Sequence, residues 1–574
     1  MLRRLYGYFG RYKKYLIIAA LCVLMESVFE MVIPLIMAQI IDVGVANQDK
    51  TYILIKGGEM IVCALLSLGL GLLYARYAAL AGQGFGAELR EAEYKKVQGF
   101  SFTNMDHFST PSLITRLTGD ITVMQNAVSN GLRPAVRGPV MMVIAVLMTL
   151  MLSPKLSLVF AISMPFLALL LTLIIKKLSP LYGRMQRMLD QLNSVVQENL
   201  AAIRTVKSFV RGSDECKKFE AVNEDFRQTS QKAFHFAQMN LPSFQFAMYG
   251  TIIAILWLGG IYIREGTLKV GELTGFLSYV LQILNSLMMI SNVFLMLSRS
   301  LTSGQRILEV MDEKPEIEGG GSGAAVTRGE VEFDHVSFKY STSAKEYVLS
   351  DINLHIQAGQ TVGIIGTTGS AKSSLVQLIP RLYEATDGTV RIDGRDVREY
   401  GVAHLRDAIG MVLQKNTLFS GTIRENLKWG DENATDEELD WACRIACADE
   451  FLKRFPKGYD TDLGQGGVNV SGGQKQRLCI ARALLKRPKI LIFDDSVSAV
   501  DTATEALIRE RLSRELSDTT KIIITQRLTS IERADLIVVL REGRIEAVGN
   551  HEELLRENAM YRDLYEFQQK GAIA

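Results

Sequence analysis

Residues 362–374 read Val-Gly-Ile-Ile-Gly-Thr-Thr-Gly-Ser-Ala-Lys-Ser-Ser, and this stretch decides the fold of the C-terminal half. Val362–Ile365 is a short apolar run of strand type. It passes into a loop of small residues, Gly366 to Ala371, and a helical pattern begins near Leu375. Strand, small-residue loop and helix in that order form a Walker A phosphate-binding loop. Small residues let backbone N–H groups converge on phosphate oxygens, and the helix N-terminus adds its positive end. Gly366, Thr368, Gly369, Ser370, Lys372, Ser373 and Ser374 are the candidate cradle. Lys372 is placed to reach the β- and γ-phosphates and Ser373 to ligate Mg²⁺, so ATP and Mg²⁺ are the expected cofactors. Ala371 stands where glycine is expected. Its methyl group either crowds the loop or a phosphate, or is tolerated if the backbone angles there are helical.

Downstream, Lys489-Ile490-Leu491-Ile492-Phe493-Asp494-Asp495 supplies the matching Walker B strand. Its apolar run delivers Asp494 to a Mg²⁺ shell, and the following residue is in position to activate or orient water. That residue is Asp495, one methylene shorter than glutamate. A carboxylate misplaced by about 1 Å can cost on the order of 10²-fold in rate. Around these motifs, strand and helix patterns alternate over residues 327–570, which predicts an α/β nucleotide-binding domain. Glu316–Ala325, reading EIEGGGSGAA, lies in a flexible joint over 313–326.

Residues 1–312 have a different character. The whole chain of 574 residues is 48% hydrophobic and 22% charged, with mean hydropathy +0.14. That average conceals six apolar runs of membrane-spanning length. They are Tyr15–Ile41, about Ile53–Leu80, about Pro139–Leu152 with a helical lead-in, Leu156–Ile175, about Phe246–Ile263 and about Leu273–Leu297. A tight Ser153–Lys155 turn separates the third and fourth. Arg3, Arg4, Arg11, Lys13 and Lys14 precede the first run, and the segments after the second and fourth are rich in Lys and Arg, so the N-terminus and the C-terminal half are placed in the cytoplasm. Leu2, Leu5, Tyr8 and Phe9 suggest an interfacial helix. Two long inner segments, about 83–135 and 177–240, read as helical continuations with breaks near Asp106–Ser112 and Arg211–Cys216. Glu26, Glu30, Glu59 and Arg76 are ionisable residues within the first two spans. Glu26 and Glu30, four apart on one face, are either an acidic wall for a cationic substrate or members of structural ion pairs. A net charge of +2 gives no reason to expect nucleic acid as a partner. Six cysteines are too few for a disulfide scaffold, and Cys443 and Cys447 read as buried thiols.

With these motifs in place, the whole chain resembles a half-transporter of the ABC exporter family: an all-α six-helix membrane domain with long cytoplasmic extensions, then an α/β P-loop ABC domain. Val470-Ser471-Gly472-Gly473-Gln474 resembles the family signature, with Val470 for the usual Leu. Through the same resemblance, Tyr340 matches the aromatic that stacks on adenine. Gln414 matches the Q-loop residue that touches Mg²⁺, and Ser498-Ala499-Val500-Asp501 matches the D-loop. Thr461–Gly467 occupies the X-loop position, with Gln465-Gly466 in place of Glu-Arg. Gln526 stands where the family has its switch histidine. The resemblance implies two nucleotide sites, each joining one chain's Walker motifs to the other chain's Ser471, Gly472, Gly473 and Gln474 equivalents. With Ala371, Asp495 and Gln526 altered together, this chain resembles the degenerate-site subunit of a heterodimeric multidrug or lipid exporter in a cell membrane of the bacterial inner-membrane type. The implied partner is a different six-helix half-transporter with an unaltered Walker A, a catalytic Glu and a switch His. Membrane lipids and a small amphipathic substrate, drug or lipid, are the other implied partners. A homodimer with two weak sites, a lipid flippase and an ATP-sensing regulator are the competing readings.

Overall fold

The computed structural model describes residues 2–317, 323–341, 344–495 and 500–573. The chain divides into two compact units, Met1–Lys96 with Pro111–Asp312, and Val97–Thr110 with Glu313–Ala574.

The first unit is helical throughout. Among the described residues, five stretches are long and apolar enough to cross a membrane: Gly10–Val45, Lys50–Gln98, Thr110–Leu152, Gly212–Arg264 and Val270–Asp312. The fourth expected span falls within the 48-residue helix Pro154–Ala201, several of whose side chains lie outside the described ones. Ser153 makes the tight turn before it: its hydroxyl accepts the Leu156 N–H, and Pro154 opens the helix. Lys50–Gln98 has 49 residues, a rod of about 74 Å at 1.5 Å per residue. Its outward leucines, such as Leu54, Leu65 and Leu72, are exposed, as a lipid-facing surface requires.

The N-terminal helix Leu2–Gly7 buries Leu5, and Phe9 just beyond it, in a cluster with Phe85, Leu89, Ile121, Met124, Ile307 and Leu308. Phe9 and Phe85 stack at 4.2 Å between centroids. Glu26 is buried and forms ion pairs with Arg133 and Arg137, while Arg137 also reaches Glu30. Of the two readings the sequence left open for these acids, the structure displays the paired one.

The long helices break at residues 108–109 and 209–211, and a short helix precedes each break. The first short helix is Phe102–His107, because Ser101 and Asn104 form a reciprocal capping box that fixes its start. The second is Ile203–Ser208. The chain then reverses at Val210, which has φ +55°. Arg211 and Asp214 pair at 2.7 Å at the start of the next helix, Gly212–Gln238.

The second unit is built on a six-stranded sheet. Arg544–Gly549, Leu536–Arg541, Thr361–Gly366, Thr520–Ile524, Ile490–Asp494 and Ile409–Val412 lie side by side in that order. All neighbours are parallel except the first pair. The central strands are apolar runs buried on both faces, such as Ile490–Asp494, as a sheet covered on both sides demands. A four-stranded antiparallel sheet, containing Leu349–Ile356, Val331–Phe338 and Asp387–Ile392, packs beside it. A helical portion, Asp436–Ile445 and Gly472–Leu485, shares an apolar core with the main sheet. Cys443 and Cys447 lie buried in that core, and burial pushes the Cys443 thiol up to about 12. It is therefore an inert packing group at neutral pH.

Candidate functional site: the carboxyl edge of the parallel sheet

Parallel strands end on the same edge, so their C-terminal loops gather there. Ile524 pairs with Ile364 on one side and with Asp494 on the other, and Val412 pairs with Phe493. The loop from Gly366, the carboxylates Asp494 and Asp495, the Thr525–Leu528 turn and Gln414 thus share one edge by topology.

In the phosphate-binding loop, Lys372 folds its ammonium onto the Gly366 and Thr367 carbonyl oxygens, each at 2.9 Å. Burial lowers its affinity for a proton, and Asp495 and Asp494 counter that. Gly366 admits no side chain: a Cβ there would stand 2.1 Å from the Leu540 carbonyl oxygen. Ala371 has φ +72° and ψ 25°. The right-handed helical backbone on which tolerance of the methyl depends is not the one present. The position is left-handed, so glycine fits it without cost, whereas alanine carries roughly 1–2 kcal/mol of strain. The helix Lys372–Gln377 starts directly after it.

Ser373 donates its hydroxyl to Asp494 Oδ1 at 2.7 Å. A hydroxyl and a buried carboxylate meeting at the end of a strand form the hard-oxygen donor set that suits Mg²⁺. Burial pushes the Asp494 and Asp495 carboxyls above the usual range for aspartate, and the two negative charges add to the effect at Asp494. Asp495 is itself left-handed, with φ +46°. Its Oδ2 accepts a hydrogen bond from Gln526 Nε2 at 3.2 Å. Two of the altered motif positions are therefore in direct contact. Gln414 is exposed just past Ile409–Val412.

Tyr340 follows the strand Val331–Phe338, and its hydroxyl shares a 2.8 Å hydrogen bond with Ser374 Oγ. Its ring meets Tyr383 edge-on at 5.1 Å. Tyr383 escaped the sequence reading, because no motif spacing marks it. It donates its hydroxyl to Asp106 Oδ2 at 2.7 Å and receives the ring of Phe102 edge-on at 5.9 Å. An aromatic chain thus runs from the edge of the nucleotide cradle to the short helix Phe102–His107.

The signature segment stands elsewhere on the domain. Ser471 caps the helix Gly472–Leu485 in a reciprocal box with Gln474. A Cβ placed on Gly472 would meet nothing within 4 Å. Asp501 caps the helix Thr502–Glu515 by accepting the Thr504 N–H at 2.9 Å. Ser498 and Ala499 of the expected D-loop lie outside the described residues.

Residues 16–287 match the family of the ABC transporter transmembrane region, and residues 349–498 match the ABC transporter family of ATP-binding domains. The chain is 39% identical over 551 residues to the uncharacterized ABC transporter ATP-binding protein YfiB of Bacillus subtilis, covering 96% of each chain. It is 34% identical over 574 residues to Rv1273c of Mycobacterium tuberculosis, an uncharacterized protein of the same description, covering 98% of this chain and 97% of that one. The solved structure of a bacterial Atm1-family ABC exporter with ATP bound shares its fold, with a TM-score of 0.81, 24% identity and coverage of 97% and 99%. The chain therefore belongs to the ABC transporter family, as a half-transporter with an N-terminal membrane-spanning region fused to a C-terminal ATP-binding domain.

Proposed function

We propose that this chain is one subunit of an ATP-driven exporter of hydrophobic or amphipathic compounds. Its own Walker site binds ATP and hydrolyses it poorly, and its signature segment completes the site of a different six-helix subunit. The observation that carries this reading is the contact between Asp495 and Gln526, one strand away from the strained Ala371. Ala371, Asp495 and Gln526, three of the departures from the family pattern, fall on one loop cluster, as expected where a single chemical task has been lost. Asp495 is too short to hold water where glutamate would. Gln526 can bond a γ-phosphate through its amide, but an amide has no titration near neutral pH and cannot relay a proton as imidazole does.

The binding functions are supported separately. Lys372 sits at the mouth of the loop to pair with the β- and γ-phosphates. Tyr340 offers its ring to adenine. Ser373, Asp494 and Gln414 are the ligands for Mg²⁺, which when bound neutralises charge on the terminal phosphate oxygens. Retained binding with slow chemistry makes ATP in this site a clamp between subunits.

A second subunit also answers for apolar surface that lipid does not cover. Phe209 and Val210, 72% and 83% exposed, sit at the turn between the cytoplasmic helices. Leu413, Phe419 and Trp429 are exposed on the ATP-binding domain. Unmatched apolar patches off the membrane mark protein contacts. Glu26, Glu30, Arg133 and Arg137 sum to zero charge, so we assign them to joining the first and third spans rather than to cation recognition.

The test is ATP turnover of the purified chain in nanodiscs, alone and with a co-expressed six-helix partner that carries Glu and His at the altered positions. Slow turnover alone and at least ~10²-fold faster turnover in the pair is expected. Rapid turnover by the partner-free chain would overturn the assignment.

A further inference from the structure

The loop that carries Gln526 is held from outside the nucleotide edge. Gln568, on the C-terminal helix Ala559–Ile573, accepts the Leu528 N–H through Oε1 at 2.9 Å. Its Nε2 donates to the Gln526 carbonyl oxygen at 2.7 Å. One side-chain amide thus satisfies a donor and an acceptor two residues apart on the same loop. The amide orientation follows from the chemistry, since only oxygen toward Leu528 N–H and nitrogen toward Gln526 C=O satisfies both. From within, the loop is fixed by the Arg527 N–H to Thr525 Oγ1 at 3.0 Å, and Leu528 is buried beneath it. Arg527 pairs with Glu505 at 3.5 Å.

These bonds leave the Gln526 backbone little freedom, and they determine where its side chain points. That side chain ends on Asp495. We infer that Gln568 is a positioning residue: the C-terminal helix clamps the switch loop so that the Gln526 amide is pre-set toward the terminal phosphate of ATP in this chain's site. A pre-set amide loses little freedom when it engages the phosphate, which favours long retention of ATP. The inference rests on the proposed role of Gln526 as a γ-phosphate ligand.

Gln568→Glu keeps the acceptor for Leu528 N–H and removes the donor to Gln526, in nearly the same volume. Gln568→Ala removes both. Each is placed in the full-length chain within the assembled transporter, and loss of photolabelling ATP and ADP analogues from this chain is timed. Both variants are expected to release the ATP analogue about 3- to 10-fold faster, as loss of one or two hydrogen bonds allows, with ADP release unchanged because ADP lacks the γ-phosphate. In a Gln526→Ala background, Gln568→Ala should add nothing. Equal effects on ATP and ADP, no effect on either, or additivity with Gln526→Ala would overturn the clamp. If Gln526→Ala alone leaves ATP release unchanged, the γ-phosphate role of Gln526 fails and the clamp falls with it. An effect of Gln526→Ala without one from Gln568→Glu or Gln568→Ala would remove the clamp alone.

Discussion

Ala371 shows how a backbone angle, rather than a side chain, can carry a functional departure. Its left-handed conformation is what glycine adopts freely in this loop, and the neighbouring Gly369, at φ +83°, shares that need. Ala371→Gly relieves the strain, offset in part by the greater freedom of glycine in the unfolded chain. Because the strain is present without nucleotide, the expected result is a modest rise in melting temperature with ATP affinity little changed, measured by thermal unfolding and by titration of the purified chain. Weaker binding would show that the methyl group contributes a contact. Turnover is not expected to recover, because Asp495 and Gln526 remain. At this scale the sequence placed Lys372, Ser373 and Asp494 near one another by motif order, and the structure brings Ser373 onto Asp494. The sequence was not legible at Ala371, since residue type does not state φ. The ion pairs of Glu26 and Glu30 did have a signal: Arg133 and Arg137 repeat the same spacing of four on the lead-in to the third span.

Among the elements, the strand Thr361–Gly366 and the helix after its loop were readable because each is defined by neighbours in sequence. The exact start of the short helix Phe102–His107 was not readable because it depends on the Ser101–Asn104 box, which was not singled out from the sequence. Tyr383 and Gln568 were invisible because they act on Asp106 and Gln526 from far along the chain. Tyr383 links the aromatic at the cradle's edge to that short helix, and on the proposed exporter function this contact is a candidate step in coupling nucleotide binding to transport. Tyr383→Phe retains the ring contacts and deletes the donor to Asp106, a loss of about 1–3 kcal/mol for a hydrogen bond to a charged group. Its expected effect is a several-fold drop in substrate-stimulated ATPase of the assembled transporter with basal ATPase preserved. Parallel loss of both would mean that the bond only holds the domain together.

For the whole molecule, the decisive asymmetry lies between two parts of one ATP-binding domain. The nucleotide edge carries Ala371, Asp495 and Gln526, while the signature helix, preceded by Val470, keeps its cap and its small residues. On the proposed division of labour, Gly472→Ala should reduce ATPase of the pair more than Asp495→Ala does, while leaving the melting temperature of this chain unaltered. Equal effects would argue for two equivalent sites.

The open space over Gly472 has a genetic corollary. A Cβ there touches nothing in its own chain, so an alanine allele would produce a subunit that folds, inserts and assembles normally. On the proposed pairing with a different subunit, the damage would be felt only in that other polypeptide, whose active site would be sealed by a faulty lid. Such an allele would act in a dominant-negative manner, titrating good partners into dead complexes, whereas loss of the whole gene would leave those partners free.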